Sequence, residues 1–167
     1  MSDVTIRQAR ADELDEVGEL TLAAYQAAGY FEGGVEDDYA RQLANAADRA
    51  EHGEVLVAVR ADGEIVGSLT VVQPDSRYSE VSRPGELEFR MLAVVPTAQG
   101  EGVGEALTRA VLERAVELGL ARVVLCTMRS MQGPQRLYRR IGFVREPARD
   151  WRPHPTVDLI AFSLDLP

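Results

Sequence analysis

The chain has 167 residues, 46% hydrophobic and 27% charged, with one cysteine and two histidines, which fits one domain over 1–167 whose core needs neither a disulfide framework nor a structural zinc. Its formal net charge is −9, from 27 acids against 18 bases, and every base is an arginine. Without lysine, Schiff-base chemistry and a Walker-type phosphate loop are excluded, and the acidic balance speaks against nucleic acid as the main partner.

The opening residues are charged and carry no apolar stretch, and the apolar run Met91–Val95 is far too short for a bilayer, so the sequence predicts a cytoplasmic chain without leader or membrane anchor. A strand is predicted over Val4–Arg7. A helix follows over Asp12–Ala28, with Asp12 as N-cap and Leu14, Val17, Thr21 and Ala24 on one face. A second, alanine-rich helix is predicted over Asp38–Glu51. The period then shortens: Val55–Val59 and Ile65–Val72 flank Ala61-Asp62-Gly63-Glu64, and an Asp-Gly pair between apolar runs predicts a hairpin. Pro74–Gly85 has no apolar period and is predicted as loop. Beyond it come a strand over Glu88–Val95, a glycine-rich turn, a helix opening near Val103 and stopped by Gly119, and a strand over Arg122–Met128. A short helix over Gly133–Arg140 and strands over Gly142–Arg145 and Val157–Leu164 complete the order β-α-α-β-β-β-α-β-α-β-β.

Gly100, Gly102 and Gly104 read G-x-G-x-G between a strand and a helix. Glycines let backbone N–H groups converge there, and the helix N-terminus adds about half a positive charge, so the turn is suited to an anion. The spacing fails the dinucleotide fingerprint, because position 105 is Glu105, and a pyrophosphate held by backbone amides fits best. A tight turn with no ligand is the alternative for this loop taken alone.

Leu92-Ala93-Val94-Val95-Pro96, then Gln99-x-x-Gly102-x-Gly104, then Leu137-Tyr138-Arg139-Arg140-Ile141-Gly142-Phe143, resembles the GNAT superfamily of N-acetyltransferases over the whole chain. The resemblance implies an α/β (α+β) fold: a mixed, mostly antiparallel seven-stranded sheet, splayed at strands 4 and 5 and flanked by about four helices. It implies acetyl-CoA as acyl donor and a primary amine as acceptor, with no metal. Backbone groups of Leu92, Ala93 and Val94 would pair with pantetheine. The segment Gln99, Gly100, Glu101, Gly102, Val103, Gly104 and Glu105 would hold the pyrophosphate, and Arg136, Arg139 and Arg140 add charge or form a solvated face. Tyr138 matches the acid that protonates the thiolate, the Leu92 N–H meets the thioester carbonyl, and Glu88 matches a base acting through water or is a surface or salt-bridged acid paired with Arg90. Strand alternation puts Glu86, Glu88 and Arg90 on one face with Leu92. Cys126 and Met131 stand where some branches carry a glutamate and an asparagine.

Cys126, among apolar neighbours, reads as structural, and His52 and His154 as solvent-facing. Tyr30 and Phe31 beside Glu32, Glu36, Asp37 and Asp38 suit an ammonium group or form a solvated acidic loop. Trp151 lines the acceptor pocket or seals a homodimer contact. The rival functions are a catalytically silent acyl-CoA-binding regulator and a transferase of a larger acyl group.

Overall fold

The computed structural model describes residues 3–30, 36–155 and 157–167. The elements run β1 (Val4–Gln8), α1 (Leu14–Ala27), α2 (Glu36–Ala44), α3 (Ala46–His52), β2 (Glu54–Arg60), β3 (Ile65–Val72), β4 (Glu86–Val94), α4 (Val103–Glu117), β5 (Arg122–Met128), α5 (Gln132–Ile141), β6 (Val144–Arg145), β7 (Trp151–His154) and β8 (Val157–Asp165). The strands form one sheet in the order β1-β2-β3-β4-β5-β8-β6, with β7 on β8. All neighbours are antiparallel except β4 and β5.

Alternation along β2 shows why the sheet is covered on both sides. Leu56 and Ala58 belong to the cluster under α4 and α5, and Val55, Val57 and Val59 to the cluster under α1 and α3. The β2–β3 hairpin turns as expected, Gly63 taking φ 94° and the Asp62 carboxylate accepting from the Glu64 N–H at 2.9 Å.

Four expectations are corrected. The second helix breaks at Asn45, whose side chain accepts from the Asp48 N–H and caps α3, so the described residues hold five helices. Asp12 is not an N-cap: it lies in a short 3-10 turn, Ala11–Glu13, where Glu13 accepts from the Arg10 N–H at 2.8 Å. The segment Trp151–His154 adds an eighth strand despite Pro153, which an edge position tolerates. The strand expected over Gly142–Arg145 shortens to its last two residues.

Parallel pairing of β4 with β5 is confined to Glu86↔Arg122, Leu87↔Val123 and Glu88↔Val124. Beyond these pairs the strands part, β4 running on to Val94 and β5 to Met128. Two features shape the fork. At its closed end the Arg149 guanidinium donates to both Glu86 carboxylate oxygens, at 2.6 and 2.7 Å, with Arg122 at 3.7 Å. Burial pushes the Glu86 carboxyl up, but the Arg149 hydrogen bonds, the Arg83 N–H and both guanidinium charges together hold it below the usual carboxylate range. Along the open arm, Met91 takes φ 59°, a left-handed conformation, and the register with β3 shifts between Ser68 and Thr70. This bulge bends β4 and strengthens its twist.

Candidate active site

The fork opens a cavity of about 450 Å3 between β4 and β5, closed at one end by α1 and α2 and at the other by α5. The bulge decides which β4 side chains meet which side. Leu87, Phe89, Leu92 and Val94 pack with the α4–α5 cluster, whereas Met91 and Ala93 pack with α1 and α2. Alternation from Glu88 to Leu92 is thus broken at Met91, and Leu92 does not share a face with Glu88 as the sequence suggested.

Backbone direction follows. The Val95 N–H donates to Val66 O at 2.9 Å, toward β3. By alternation Val94 and Leu92 turn their peptide groups to the fork, and Ala93 turns its own to β3. Ala93 therefore cannot offer a free edge there, while Leu92 and Val94 can. The Gln99 side chain closes the turn after β4 by donating to Val94 O at 3.0 Å.

Gly100 and Gly102 have φ of 80° and 84°, and a Cβ on Gly100 would meet nothing within 4 Å. The first ladder bond of α4 runs from the Ala106 N–H to Gly102 O at 3.0 Å. The N–H groups of Val103, Gly104 and Glu105 precede the ladder and have no partner within the helix. Gly104 serves packing as well, since a Cβ there would stand 3.2 Å from Leu137 Cδ2 of α5. Two acids sit in this bend, and both are offset by arginine. Glu101 pairs with Arg60 at 3.0 Å. Glu105 is bridged by Arg109 at 3.0 Å and Arg140 at 3.1 Å, whose hydrogen bonds lower its pKa. Arg140 thus lies at the first turn of α4, Arg139 stacks on Phe162 with its guanidinium 5.4 Å from the ring centre, and Arg136 is exposed.

Tyr138 reaches the cavity from α5, 4% exposed, and Phe89 and Phe143 meet its ring edge-on at 5.8 and 5.9 Å. Burial raises its pKa well above the ordinary phenol value, so it is protonated at neutral pH and can donate. Cys126 also lines the cavity, its thiol pushed up by burial and then by the Glu80 and Glu88 charges, which leaves no nucleophilic thiolate. Met131 fills the wall beneath α5, accepting from the Thr127 hydroxyl through sulfur.

Glu88 departs most from expectation. It is 0% exposed and does not line the cavity. Its carboxylate accepts from the N–H groups of Glu80, Val81 and Ser82 and from the Ser79 hydroxyl, at 3.0 to 3.2 Å. The acids that line the cavity among the described residues are Asp38 and Glu80, and Glu80, from the loop that showed no period in sequence, is paired with Arg90 of β4 at 3.1 Å. Tyr25, Tyr30, Asp38, Tyr39 and Gln42 complete that end, the Tyr25 ring meeting Tyr30 and Tyr39 edge-on. Phe31 and Glu32 lie outside the described residues, as do the side chains of Glu36 and Asp37. His154 lines the cavity from β7 rather than facing solvent, and Trp151 does not line it. On α3, Asp48, Glu51 and His52 bring ligand atoms within 4.8 Å of one another, but the Asp48 carboxylate is already engaged by the Tyr78 hydroxyl and Arg77. Among the described residues no helix is long and apolar enough to cross a membrane.

Known proteins share this architecture. A solved acetyltransferase of the GNAT family from Staphylococcus aureus Mu50 superposes with a TM-score of 0.76 at 17% identity, covering 98% of this chain and 99% of that one. A Bacillus subtilis acetyltransferase solved in complex with CoA gives 0.67 at 23% identity, with 98% and 99% covered. Mycothiol acetyltransferase of Pseudarthrobacter chlorophenolicus is 41% identical over 91 residues, 54% of this chain but 27% of that relative, so the chain spans about a quarter of its length. The family model described as acetyltransferase (GNAT) family matches residues 14–143. With the forked sheet and the amide-lined bend, that match places the chain in the GNAT acetyltransferase family.

Proposed function

We propose that the protein is an N-acetyltransferase that moves an acetyl group from acetyl-CoA directly to a primary amine. The observation that carries this reading is the pairing of β4 with β5 at three positions only, with a phenol inside the fork and a bend of unladdered amides at its mouth. The fit is chemical: Leu92 and Val94 offer an open strand edge, and the Gly100–Glu105 bend offers convergent N–H donors to a diphosphate. Bound there, acetyl-CoA would supply an acetyl thioester. The Leu92 N–H donates to the carbonyl oxygen as it gains charge on attack, and Tyr138 gives its proton to the departing sulfur. The paired state of Glu101 and Glu105 keeps a chain of net charge −9 from repelling the polyanion locally.

Calorimetric titration with CoA and thiol release from acetyl-CoA over a panel of primary amines test the reading. Heat on titration and release with at least one amine are expected. No heat and no competition would remove it, and heat without release over the panel would leave a binding domain. Gly102→Ala places a side chain at φ 84°, a strain of about 1–2 kcal/mol, so CoA affinity should fall about tenfold while the fold persists.

A further inference from the structure

Glu80 and Glu88 divide one task between them. Glu88 lies eight residues along the chain from Glu80, yet its buried oxygens collect three successive amides, those of Glu80, Val81 and Ser82, and the Ser79 hydroxyl. A carboxylate that gathers consecutive amides fixes the backbone of a loop that has no ladder of its own. The side chain this turn delivers to the cavity wall is that of Glu80, 16% exposed. The Arg90 guanidinium, whose NH1 group donates to Tyr78 O at 3.1 Å, stands 3.1 Å from Glu80 and fixes it from the strand side.

We propose that Glu80 takes the proton of the acceptor ammonium, and that Glu88 is the positioning residue that fixes the Ser79–Ser82 turn to present it. This rests on the acetyl-transfer reading and assigns within it the group that frees the amine. The proton balance closes. An ammonium carries three N–H protons and the amide product keeps one. Glu80 takes the first and returns it to solvent. The nitrogen lone pair then forms the C–N bond as the C–S bond breaks, Tyr138 gives its proton to sulfur, and the second N–H proton restores the Tyr138 hydroxyl.

Arg90 and Glu88 of β4, Tyr39 of α2 and Cys126 of β5 interact electrostatically with Glu80, and Tyr25 of α1, Asp38 of α2 and His154 of β7 are the other titratable groups on the same cavity wall, with Tyr30 and Tyr138. Burial raises the Glu80 pKa, the Arg90 charge opposes this and the Glu88 charge adds to it, and the net direction is upward. A carboxylate raised in this way is a stronger base than a solvated one. Because only its ionised form accepts a proton, kcat/KM should rise with pH through a value above the usual carboxylate range.

Two probes separate base catalysis from folding. Ethanolamine is protonated at neutral pH and needs a base, whereas hydroxylamine is a weak base, largely free of its proton. With acetyl-CoA and thiol detection, Glu80→Gln should lower transfer to ethanolamine about a hundredfold and abolish the acidic limb, while transfer to hydroxylamine changes less than about threefold. Glu88→Gln should reproduce a smaller loss on ethanolamine, with faster hydrogen exchange at the amides of Glu80, Val81 and Ser82, and Glu88→Asp should restore part of both. Equal losses on the two amines, or an acidic limb that survives Glu80→Gln, would overturn the base assignment. Unchanged exchange in Glu88→Gln would overturn the positioning role whatever the turnover. A wild-type protein that binds CoA yet releases thiol with neither amine would instead count against the transfer reading beneath it.

Discussion

Replacing Tyr138 with phenylalanine should lower kcat about a hundredfold, the lower range for loss of a general acid, and leave CoA affinity within about twofold. Its described ring contacts are aromatic, Phe89 at 5.8 Å and Phe143 at 5.9 Å edge-on and Phe162 at 6.2 Å tilted, so phenylalanine keeps that packing and removes only the hydroxyl. Without the acid, the sulfur must leave as an unprotonated thiolate. Steady-state thiol release measures the first quantity and calorimetry the second, and an unchanged kcat would remove the acid role. Burial moves the Tyr138 phenol upward from an already high value, so it stays protonated at neutral and mildly alkaline pH and imposes no limb there. Any acidic limb belongs to another group, which makes the Tyr138 and Glu80 variants separable by pH profile.

Gly18→Ala should lower stability by about 3 kcal/mol, the upper part of the range for overpacking, and Tm by roughly 6–12 °C. A Cβ at this position of α1 would stand 1.9 Å from Ala44 O and 2.7 Å from its carbonyl carbon, at the last residue of α2. That backbone cannot yield easily. The buried Arg49 guanidinium holds the same helix end through Gln42 O and Leu43 O while its Nε donates to Thr70 Oγ1 of β3 at 3.0 Å. Carbonyls at a helix C-terminus suit a cation, and this fixes α2 against the sheet. Since α2 carries Asp38, Tyr39 and Gln42 to the cavity, the variant should also weaken acceptor binding more than CoA binding. Thermal denaturation reads the first effect and the two KM values the second. A variant of wild-type Tm would mean that α2 can slide away from α1 at little cost.

The parts that were legible in the sequence share a local signature. Asp62-Gly63 marked its hairpin because a turn of that kind requires φ above zero and glycine supplies it. Gly100 and Gly102 marked the bend for the same reason, and Tyr138 came through its resemblance-bearing neighbours Leu137, Gly142 and Phe143. What stayed hidden depends on tertiary pairing. Met91 is left-handed without being glycine, so nothing in the chain announced the bulge, and Leu92 was expected on the face of Glu88 and Arg90 when it lies on that of Leu87 and Phe89. Glu80 sits in a stretch with no hydrophobic period, and its importance arises only when a distant carboxylate folds that stretch around itself. The Asn45 break was hidden by alanines on both sides, which favour a continuous helix.

The turnover of β4 at Met91 has a consequence for length as well as for chemistry. Met91 and Leu92 together oppose Leu69 alone, so a strand lacking Met91 would regain simple alternation with Leu92 still beneath α4 and α5 and Ala93 still beneath α1 and α2. What it would lose is the Met91 side chain from the cavity wall on the α1–α2 side, together with the left-handed residue that bends the strand. The extra residue thus serves the bend of this arm rather than the assignment of Leu92 and Ala93 to their faces.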